Sequence, residues 1–425
     1  MDDVRAWLEA RRAFGMALGL DTTRRLLVAL NRPDLRTSTV LHVAGSNGKG
    51  TLCAIMAAKA QDLGHTTVLF TSPHVARIEE RVRVNGRPVS AERFDEAILR
   101  VKTCAEALDV EPTYFETTML IAWAVCDLVK ADVMVQETGL GGRLDATRAT
   151  NADLAVVTAV SVEHVSVLGS TRSEIMTEKA AIARPGKPLL IRDPEDDAVL
   201  DAARQTAQRA GSYDLDKSGP ASKVIVVPVP DGADVRMEAS HLAHAACQVL
   251  GWPTEGLDAL ATRIRWPARG QWVDEADSVC GPLLIDAAHN PSGLERALPG
   301  LWTDFQHRIG AGAWRLCFGT SPQDNLAAMV APLLERCRLS HPDHVILVAP
   351  EGGRMPGVPP GELAELAWSS LNGVHTFQSV HDAVRHMQAA PMPTLVVGSL
   401  YLAGNVLSEL GLDDDDALTL LPSQG

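Results

Sequence analysis

The residues best suited to chemistry lie in one glycine-rich stretch, His42-Val43-Ala44-Gly45-Ser46-Asn47-Gly48-Lys49-Gly50-Thr51. It follows a short β-branched run at 38–41 and precedes a helix-forming run at 52–60. This order is typical of a phosphate-binding loop, because glycines let backbone N–H groups approach phosphate oxygens and the helix N-terminus adds a positive dipole. Lys49 is therefore predicted to reach the β- and γ-phosphates of a nucleotide, and the Thr51 hydroxyl to bind Mg²⁺.

One departure from the strict pattern leaves this prediction open. In G-x-x-x-x-G-K-[ST] the lysine is followed directly by Ser or Thr, whereas Gly50 stands between Lys49 and Thr51. Gly45 also comes only three residues before Gly48. The alternative is a glycine-rich strand–helix turn that binds no phosphate.

Polar side chains follow three further strand patterns, where ligands collect in open α/β sheets. Glu137 ends a buried run, and a carboxylate beside a phosphate loop suits Mg²⁺, which prefers hard oxygen ligands. Ser72 is either a turn residue before a proline or a ligand, and His164 is either a surface residue or a ligand. Lys179 lies in a helix pattern and, from its type alone, is a solvated lysine.

The alternation of strand and helix patterns predicts the fold class. A β-α-β unit around the loop indicates a parallel sheet, and the alternation restarts after a Pro-, Gly- and Trp-containing junction. We predict an α/β protein with an N-terminal P-loop-type doubly wound ATPase domain at 1–266, a hinge at 267–275, and a smaller C-terminal α/β (Rossmann-like) domain at 276–425. About the last ten residues are expected to be frayed.

Composition narrows the function classes. The chain has 425 residues, 46% hydrophobic and 22% charged, with a net charge of −14, which argues against general binding of nucleic acid or anionic membranes. Seven scattered cysteines without a C-x-x-C pair indicate a reducing compartment. There is no signal-peptide pattern at the N-terminus and no apolar run long enough to span a membrane. We expect a cytoplasmic protein.

Taken together, the motifs resemble those of the folylpolyglutamate synthase/dihydrofolate synthase branch of the Mur ligase superfamily. The loop of that branch carries a glycine after its lysine, so Gly50 becomes a point of agreement. Further segments are similar in the family's order: Thr71-Ser72-Pro73-His74, Tyr114-Phe115-Glu116, residues 137–147, Glu178-Lys179-Ala180, the junction at Arg269, and Asp286-Ala287-Ala288-His289-Asn290-Pro291. The resemblance runs from about residue 18 to about residue 405.

The resemblance implies ATP-dependent amide ligation. In this family a folate or pteroate carboxylate takes the γ-phosphoryl group of ATP, and the amino group of L-glutamate attacks the acyl phosphate to give ADP, phosphate and a new amide. Phosphoryl transfer depends mainly on positioning and charge neutralisation, which suits the predicted site. The implied partners are ATP, L-glutamate and dihydropteroate or tetrahydrofolate, with no nucleic acid and no membrane, and the protein is expected to be a monomer.

The resemblance also implies two Mg²⁺ sites. Thr51, Ser72 and Glu137 match the ligands of the first ion. Glu137, His164 and Lys179 match those of the second, where the family's lysine is often carbamylated. Carbamylation would turn Lys179 from a cation into an oxygen donor.

Other roles are carried over position by position. The ATP contacts implied are Asn47, Gly48, Lys49, Gly50, Thr51, Arg269 and Asp286. The catalytic residues implied are Lys49, Glu137, His164, Lys179 and His289, the last orienting the acyl phosphate or glutamate. The pterin contacts implied are Ala17, Leu18, Gly19, Tyr114, Phe115, Glu116, Gly142, Arg143, Leu144 and Asp145.

Several positions depart from the family pattern. Arg148 stands where Asn is usual, Glu163 replaces Asp before the metal-site histidine, and Val165 replaces Thr after it. The segments 240–244 and 322–325 also differ, which places a nucleotide contact and amino-acid handling in question. Two alternatives therefore remain: a ligase of the same fold acting on another carboxylate, such as a cell-wall precursor or secondary metabolite, and a nucleotide-binding regulatory protein that has lost catalysis.

Overall fold

A computed structural model describes residues 2–15, 19–210, 219–310, 312–353, 355–366, 368, 371 and 373–421. The chain divides into two compact units. The first unit comprises Met1–Pro73, Glu79–Ile264 and Thr419–Gly425, and the second comprises His74–Ile78 and Arg265–Leu418. Among the described residues, no helix combines the length and apolar character that crossing a membrane requires.

The first unit is built on an eight-stranded sheet. Its described strands are β1 Thr39–Ala44, β2 Thr67–Phe70, β3 Val82–Val84, β4 Arg87–Pro88, β5 Val133–Glu137, β6 Leu154–Val157, β7 Pro188–Arg192 and β8 Lys223–Val227. Its described helices are α1 Asp2–Ala10, α2 Asp21–Ala29, α3 Lys49–Asp62, α4 Ala91–Leu108, α5 Tyr114–Val129, α6 Val165–Leu168, α7 Arg172–Ala180, α8 Asp197–Gln208, α9 Val235–Leu250 and α10 Leu257–Arg263. Short 3₁₀ helices occupy Arg11–Phe14, Pro33–Leu35, Ile78–Arg81 and Ala146–Ala149.

The strand order brings the predicted site residues to one edge. The order is β4-β3-β2-β5-β1-β6-β7-β8, parallel from β2 to β8, with β3 and β4 antiparallel. Val43 of β1 pairs with Glu137 of β5 on one side and with Val156 of β6 on the other. Because parallel strands end at the same edge, the loop after β1 emerges between Glu137 and the segment that follows β6.

The second unit repeats the architecture on a smaller scale. Its described strands are β9 Gln271–Val273, β10 Leu283–Ile285, β11 Arg315–Phe318, β12 His344–Val348, β13 Val374–Phe377 and β14 Thr394–Val397. Its described helices are α11 Pro291–Ile309, α12 Leu326–Leu339, α13 Pro360–Glu365, α14 Val380–Ala389 and α15 Leu400–Glu409. The sheet order is β13-β12-β11-β14-β10-β9, parallel except for β9.

Both faces of this second sheet are covered. Successive strand residues point to opposite faces, so the buried strands contribute to two separate cores. Helices α11, α12 and α13 pack on the core containing Leu284, Leu316, Phe318, Val345, Leu347, Leu395 and Val397. Helices α14 and α15 pack on the core containing Leu283, Ile285, Cys317, Ile346, Val348 and Val396. The predicted α/β fold class is confirmed.

The predicted hinge and the predicted frayed C-terminus both include described residues, and the hinge stays a prediction. Residues 267–275, predicted as a hinge, include β9, where Val273 pairs antiparallel with Leu283. The prediction that the last ten or so residues are frayed is wrong for the part that is described. Leu418 and Leu420 are buried, and the backbone N–H of Leu420 donates to the Gly86 carbonyl at 3.0 Å.

Candidate active site

The loop after β1 is shaped by two glycines. Gly48 has φ +86° and caps α3, so the first helical N–H groups are open toward the loop. Gly45 has φ +147°, and a Cβ there would overlap the Thr158 hydroxyl oxygen. That hydroxyl donates to the Asn47 carbonyl at 2.7 Å, which fixes the loop against the segment after β6. The local geometry is that of a phosphate-binding loop with an extra glycine.

A Gly45→Ala variant tests this close approach. We expect nucleotide affinity to fall about tenfold, because the methyl group forces the loop away from Thr158 and the backbone is strained. Gly64→Ala is the matched control: Gly64 also has positive φ, +84°, but no atom lies within 4 Å of the place that its methyl group would take. Gly64→Ala should lose about 1 kcal/mol of stability and keep the nucleotide affinity of the wild type. The affinities of both variants are measured by calorimetric titration. Equal affinities for the two variants would contradict the proposed loop contact.

Two lysines converge on one carbonyl of this loop. The ammonium groups of Lys49 and Lys179 donate to the Gly45 carbonyl at 3.0 and 2.9 Å. Each lysine has its own carboxylate: Nζ of Lys49 lies 3.9 Å from Oε1 of Glu137, and Nζ of Lys179 lies 2.9 Å from Oε1 of Glu163. We call these four side chains the lysine–glutamate cluster. It places two positive charges where phosphate oxygens are expected.

Lys179 is buried, so its interpretation as a solvated helix residue is wrong. Only 1% of it is exposed, at the end of α7, whose start is fixed by a Thr171–Glu174 capping box. Burial lowers the pKa of Lys179 to about 8; the Glu163 carboxylate opposes this shift and the Lys49 ammonium adds to it. The neutral amine is therefore easier to reach at neutral pH than for an ordinary lysine.

Glu163 is the residue that sequence reasoning missed. Burial would raise the pKa of its carboxyl, but the charges of Lys179 and Lys49 prevail and hold that pKa below its usual value. In the sequence it stands out only as a departure from the family pattern. The one available signal was its place after β6, at the edge where β1 and β5 also end.

His164 has a different environment. Its backbone is left-handed, with φ +47°, it precedes α6, and the residue is exposed. The structure thus brings Glu163 to Lys179 and leaves the neighbouring imidazole at the surface. The role of His164 as a metal ligand stays a prediction.

Glu137 and its neighbours fit a hard cation. Glu137 is 6% exposed, and its Oε2 accepts the backbone N–H of Ser72 at 3.1 Å. Thr51 lies in the first turn of α3, which packs on β5. Carboxylate and hydroxyl oxygens are the ligands that Mg²⁺ prefers. Within the described ranges no three His, Cys, Asp or Glu side chains gather to hold a metal, so any ion here would depend on hydroxyls or on a modified Lys179 as well.

In the predicted pterin segment at the start of α5, Glu116 positions the helix and Tyr114 lies beside two arginines. Glu116 is buried and completes a capping box with Thr113, and it also accepts the Thr23 hydroxyl at 2.8 Å, so its contacts position the helix. The guanidinium groups of Arg12 and Arg81 lie over the Tyr114 ring, at 4.6 and 5.3 Å from its centre. The two guanidinium groups give this segment positive charge, which suits an anionic substrate.

Phe115 and Gly19 are two further residues predicted to contact the pterin. The Phe115 ring lies 5.9 Å from the Phe70 ring and so close to Gly139 that a Cβ there would meet it at 2.5 Å. Gly19 has φ +145°. Ala17 and Leu18, also predicted as pterin contacts, lie outside the described residues.

The glycine turn after β5 packs tightly on α7. A Cβ on Gly142 would lie 2.8 Å from the Glu178 carbonyl, and Arg143 donates to the Glu178 carboxylate at 2.8 Å. Leu144 is half-buried. Asp145 is buried, which raises the pKa of its carboxyl although several hydrogen bonds oppose the shift. The predicted substrate segment is thus held to the helix that carries Lys179.

The second unit positions its own predicted residues around the end of β10. The Asp286 carboxylate accepts the backbone N–H groups of Gly270 and Ala288 at 2.9 and 2.8 Å, which fixes the loop containing half-buried Arg269. His289 is exposed, and its Nδ1 donates to the Ala287 carbonyl at 2.9 Å. The Gln323 amide donates to the His289 carbonyl at 3.0 Å. The 322–325 turn, which differs from the family pattern, therefore lies beside this motif.

A parallel sheet that carries a phosphate-binding loop, with acidic and basic side chains at its strand ends, defines a nucleotide-binding α/β enzyme. The chain is 31% identical over 324 residues to the dihydrofolate synthase/folylpolyglutamate synthase of Bacillus subtilis, covering 69% of this chain and 74% of that protein. It is 31% identical over 313 residues to the Escherichia coli protein of the same name, covering 68% and 70%. The chain belongs to the dihydrofolate synthase/folylpolyglutamate synthase family, and the predicted family is confirmed.

Solved structures agree with this assignment. E. coli FolC in complex with DHPP and ADP matches with a TM-score of 0.76 and 25% identity, over 96% of this chain and 97% of that one. The bifunctional folylpolyglutamate synthase/dihydrofolate synthase of Yersinia pestis complexed with AMPPNP and Mn matches with a TM-score of 0.76 and 26% identity, over 96% and 98%. No protein-family model matches the chain.

Proposed function

We propose that this protein joins L-glutamate to dihydropteroate, to tetrahydrofolate or its polyglutamates, or to both, with conversion of ATP to ADP and phosphate. The observation that carries the proposal is the lysine–glutamate cluster at the phosphate-binding loop, in a chain of this family. The relatives' names support the folate substrate class over another carboxylate. A regulatory protein without catalysis would bind ATP at the same loop without turnover, so the activity assay separates it from a ligase.

The proposed reaction has two steps, and both depend on control of charge. A substrate carboxylate oxygen attacks the γ-phosphorus while the bond to ADP breaks. The glutamate nitrogen then attacks the acyl carbon, phosphate leaves, and the nitrogen loses a proton. Asn47, Gly48, Gly50 and the N-terminus of α3 are proposed to bind the phosphates, with Lys49 compensating their charge.

Two Mg²⁺ ions are part of the proposal. When bound, they would neutralise charge on the phosphates and on the developing acyl phosphate. Thr51, Ser72 and Glu137 would hold the first, and Glu137, His164 and a carbamylated Lys179 the second. The neutral amine is the form that reacts with CO₂, and the lowered pKa of Lys179 makes that form accessible. A carbamate would repel the nearby Glu163 carboxylate, so this ion pair must separate when the carbamate forms.

The remaining assignments are proposals of the same kind. Arg269 and Asp286 are proposed to contact ATP, and His289 to orient the acyl phosphate or glutamate. Gly19, Tyr114, Phe115, Glu116 and residues 142–145 are proposed to lie at the pterin site. We also propose a cytoplasmic monomer; the seven cysteines are all unpaired thiols, as a reducing compartment favours. Light scattering on the purified protein tests the oligomeric state.

The proposed activity is tested with the purified protein, ATP, Mg²⁺ and L-glutamate. ADP release is followed with dihydropteroate and, separately, with tetrahydrofolate. We expect turnover with at least one of them, dependent on both glutamate and the folate compound, and a product heavier by one glutamyl residue. Reactions without glutamate serve as controls. ATP binding without turnover on either compound would refute the folate assignment and favour a regulatory protein.

A further inference from the structure

A buried histidine precedes the phosphate-binding loop and has no role in the proposed chemistry. His42 lies in β1 with no exposed surface. Its Nε2 is 2.7 Å from the Thr147 hydroxyl oxygen, and its Nδ1 is 3.4 Å from Nη2 of Arg184. A guanidinium group only donates hydrogen bonds, so Nδ1 accepts and the proton of the neutral imidazole is on Nε2. Burial, together with the positive charges of Arg184 and Arg148, holds the pKa of His42 well below its usual value.

This tautomer gives the hydrogen bonds one direction. Because Nε2–H of His42 donates to the Thr147 hydroxyl, that hydroxyl donates its own hydrogen to Oδ1 of Asp145. Asp145 in turn accepts the backbone N–H groups of Gly139 and Leu140, both at 2.9 Å. The chain of bonds therefore starts on the central strand and ends on the glycine turn, two residues beyond Glu137.

Arginines connect the same network to α7. Nη2 of Arg184 also donates to the Thr150 carbonyl at 2.7 Å, beyond the short helix that carries Thr147. Nε of Arg148 donates to the Ala181 carbonyl at 2.8 Å, and Ala181 is the C-cap of α7. Arg148, which departs from the family pattern, is thus a buried support of the helix that holds Lys179.

We propose that His42 and Thr147 are positioning residues that hold the glycine turn, through Asp145, in the place that the folate-type substrate requires. Within the described part of the chain, the side-chain hydrogen bonds of His42, Thr147 and Asp145 go to one another, to Arg184 and to the turn that leads into residues 142–145. We therefore expect the network to act on the substrate that carries the carboxylate more than on ATP. This inference rests on the proposed ligase function.

The test compares Thr147→Val with Thr147→Ser in the full-length protein. Valine keeps the shape of the side chain and removes the hydroxyl, and serine keeps the hydroxyl. We expect Thr147→Val to raise KM for the folate compound and lower kcat/KM about tenfold, with KM for ATP changed less than about twofold. Thr147→Ser should restore kcat/KM to near the wild-type value. Thr206→Val is the control, because Thr206 is buried in α8 and its hydroxyl donates a hydrogen bond to the Ala202 carbonyl of the same helix.

A pair of variants at His42 tests the direction of the bonds. His42→Gln can still present an N–H group near Thr147 and should keep most of the activity, whereas His42→Leu should resemble Thr147→Val. If the wild type shows no ligation, the proposed function is refuted and this inference, which rests on it, is refuted with it. If the wild type is active and Thr147→Val matches Thr206→Val, the positioning role is refuted. It is also refuted if Thr147→Val loses ATP affinity and thermal stability in step with KM for the folate compound, because that result indicates a structural role alone.

Discussion

A Lys49→Ala variant is expected to lose ATP binding and ligation together, with kcat/KM lowered by about a thousandfold or more, because its charge acts where phosphate charge is greatest. In the structure the ammonium group donates to the Gly45 carbonyl at 3.0 Å and lies 3.9 Å from Glu137. Its removal deprives both the phosphates and Glu137 of a neighbouring cation. The measurements are a calorimetric titration with ATP and Mg²⁺ and the ADP-release assay.

The chain provides a matched control for this loss. Lys59 lies in the same helix and is only 2% exposed, but its ammonium group donates to the Glu255 carbonyl at 3.2 Å. A Lys59→Ala variant should lose stability and keep its ATP affinity. If Lys49→Ala binds ATP as tightly as Lys59→Ala does, the loop does not cradle the phosphates as proposed.

The residues whose place in the fold could be predicted are those set by a local pattern. Lys49 and Thr51 follow directly from a strand–glycine–helix pattern, and Glu137 ends a run of buried strand residues. Parallel strands end at one edge, so their proximity could be inferred without coordinates. The buried strands and helix faces were likewise predictable, because β-branched runs and helical periodicity indicate which residues of a segment are buried.

The contacts that the residue pattern could not predict lie between distant segments. A helix pattern does not show that α7 turns Lys179 inward onto the Gly45 carbonyl, 134 residues earlier in the chain. The pairing of Glu163 with Lys179 joins the segment after β6 to α7, and the left-handed backbone of the adjacent His164 is one that a non-glycine residue rarely adopts. The same holds for Leu420, which is buried and donates a backbone hydrogen bond to the distant Gly86 turn. In each case the local pattern is compatible with exposure, and only tertiary packing decides.

Replacing Lys179 should separate chemistry from nucleotide binding. We expect Lys179→Ala to lower kcat about a thousandfold, the effect of losing metal-dependent charge stabilisation worth several kcal/mol, while ATP still binds with an affinity within a few-fold of the wild type. The reason is that the two lysines have different positions at the Gly45 carbonyl. Lys49 begins α3 and is proposed to contact the phosphates, whereas Lys179 comes from α7 and is paired with Glu163. Unchanged turnover would dismiss the role of Lys179 at a second metal.

The same variant distinguishes a carbamate from an ammonium group at this position. If Lys179 acts as an oxygen donor, added formate or acetate should restore part of the activity of Lys179→Ala, because a small carboxylate can occupy the space and ligate the metal. If the side chain acts as a cation, added methylamine should restore activity and the carboxylates should not. A Glu163→Gln variant completes the comparison. The Glu163 carboxylate lies 2.9 Å from Nζ of Lys179, and its negative charge opposes a carbamate there. The activity of Glu163→Gln should therefore depend less on added bicarbonate than the activity of the wild type. If Glu163→Gln depends on bicarbonate as the wild type does, Glu163 does not oppose carbamylation of Lys179.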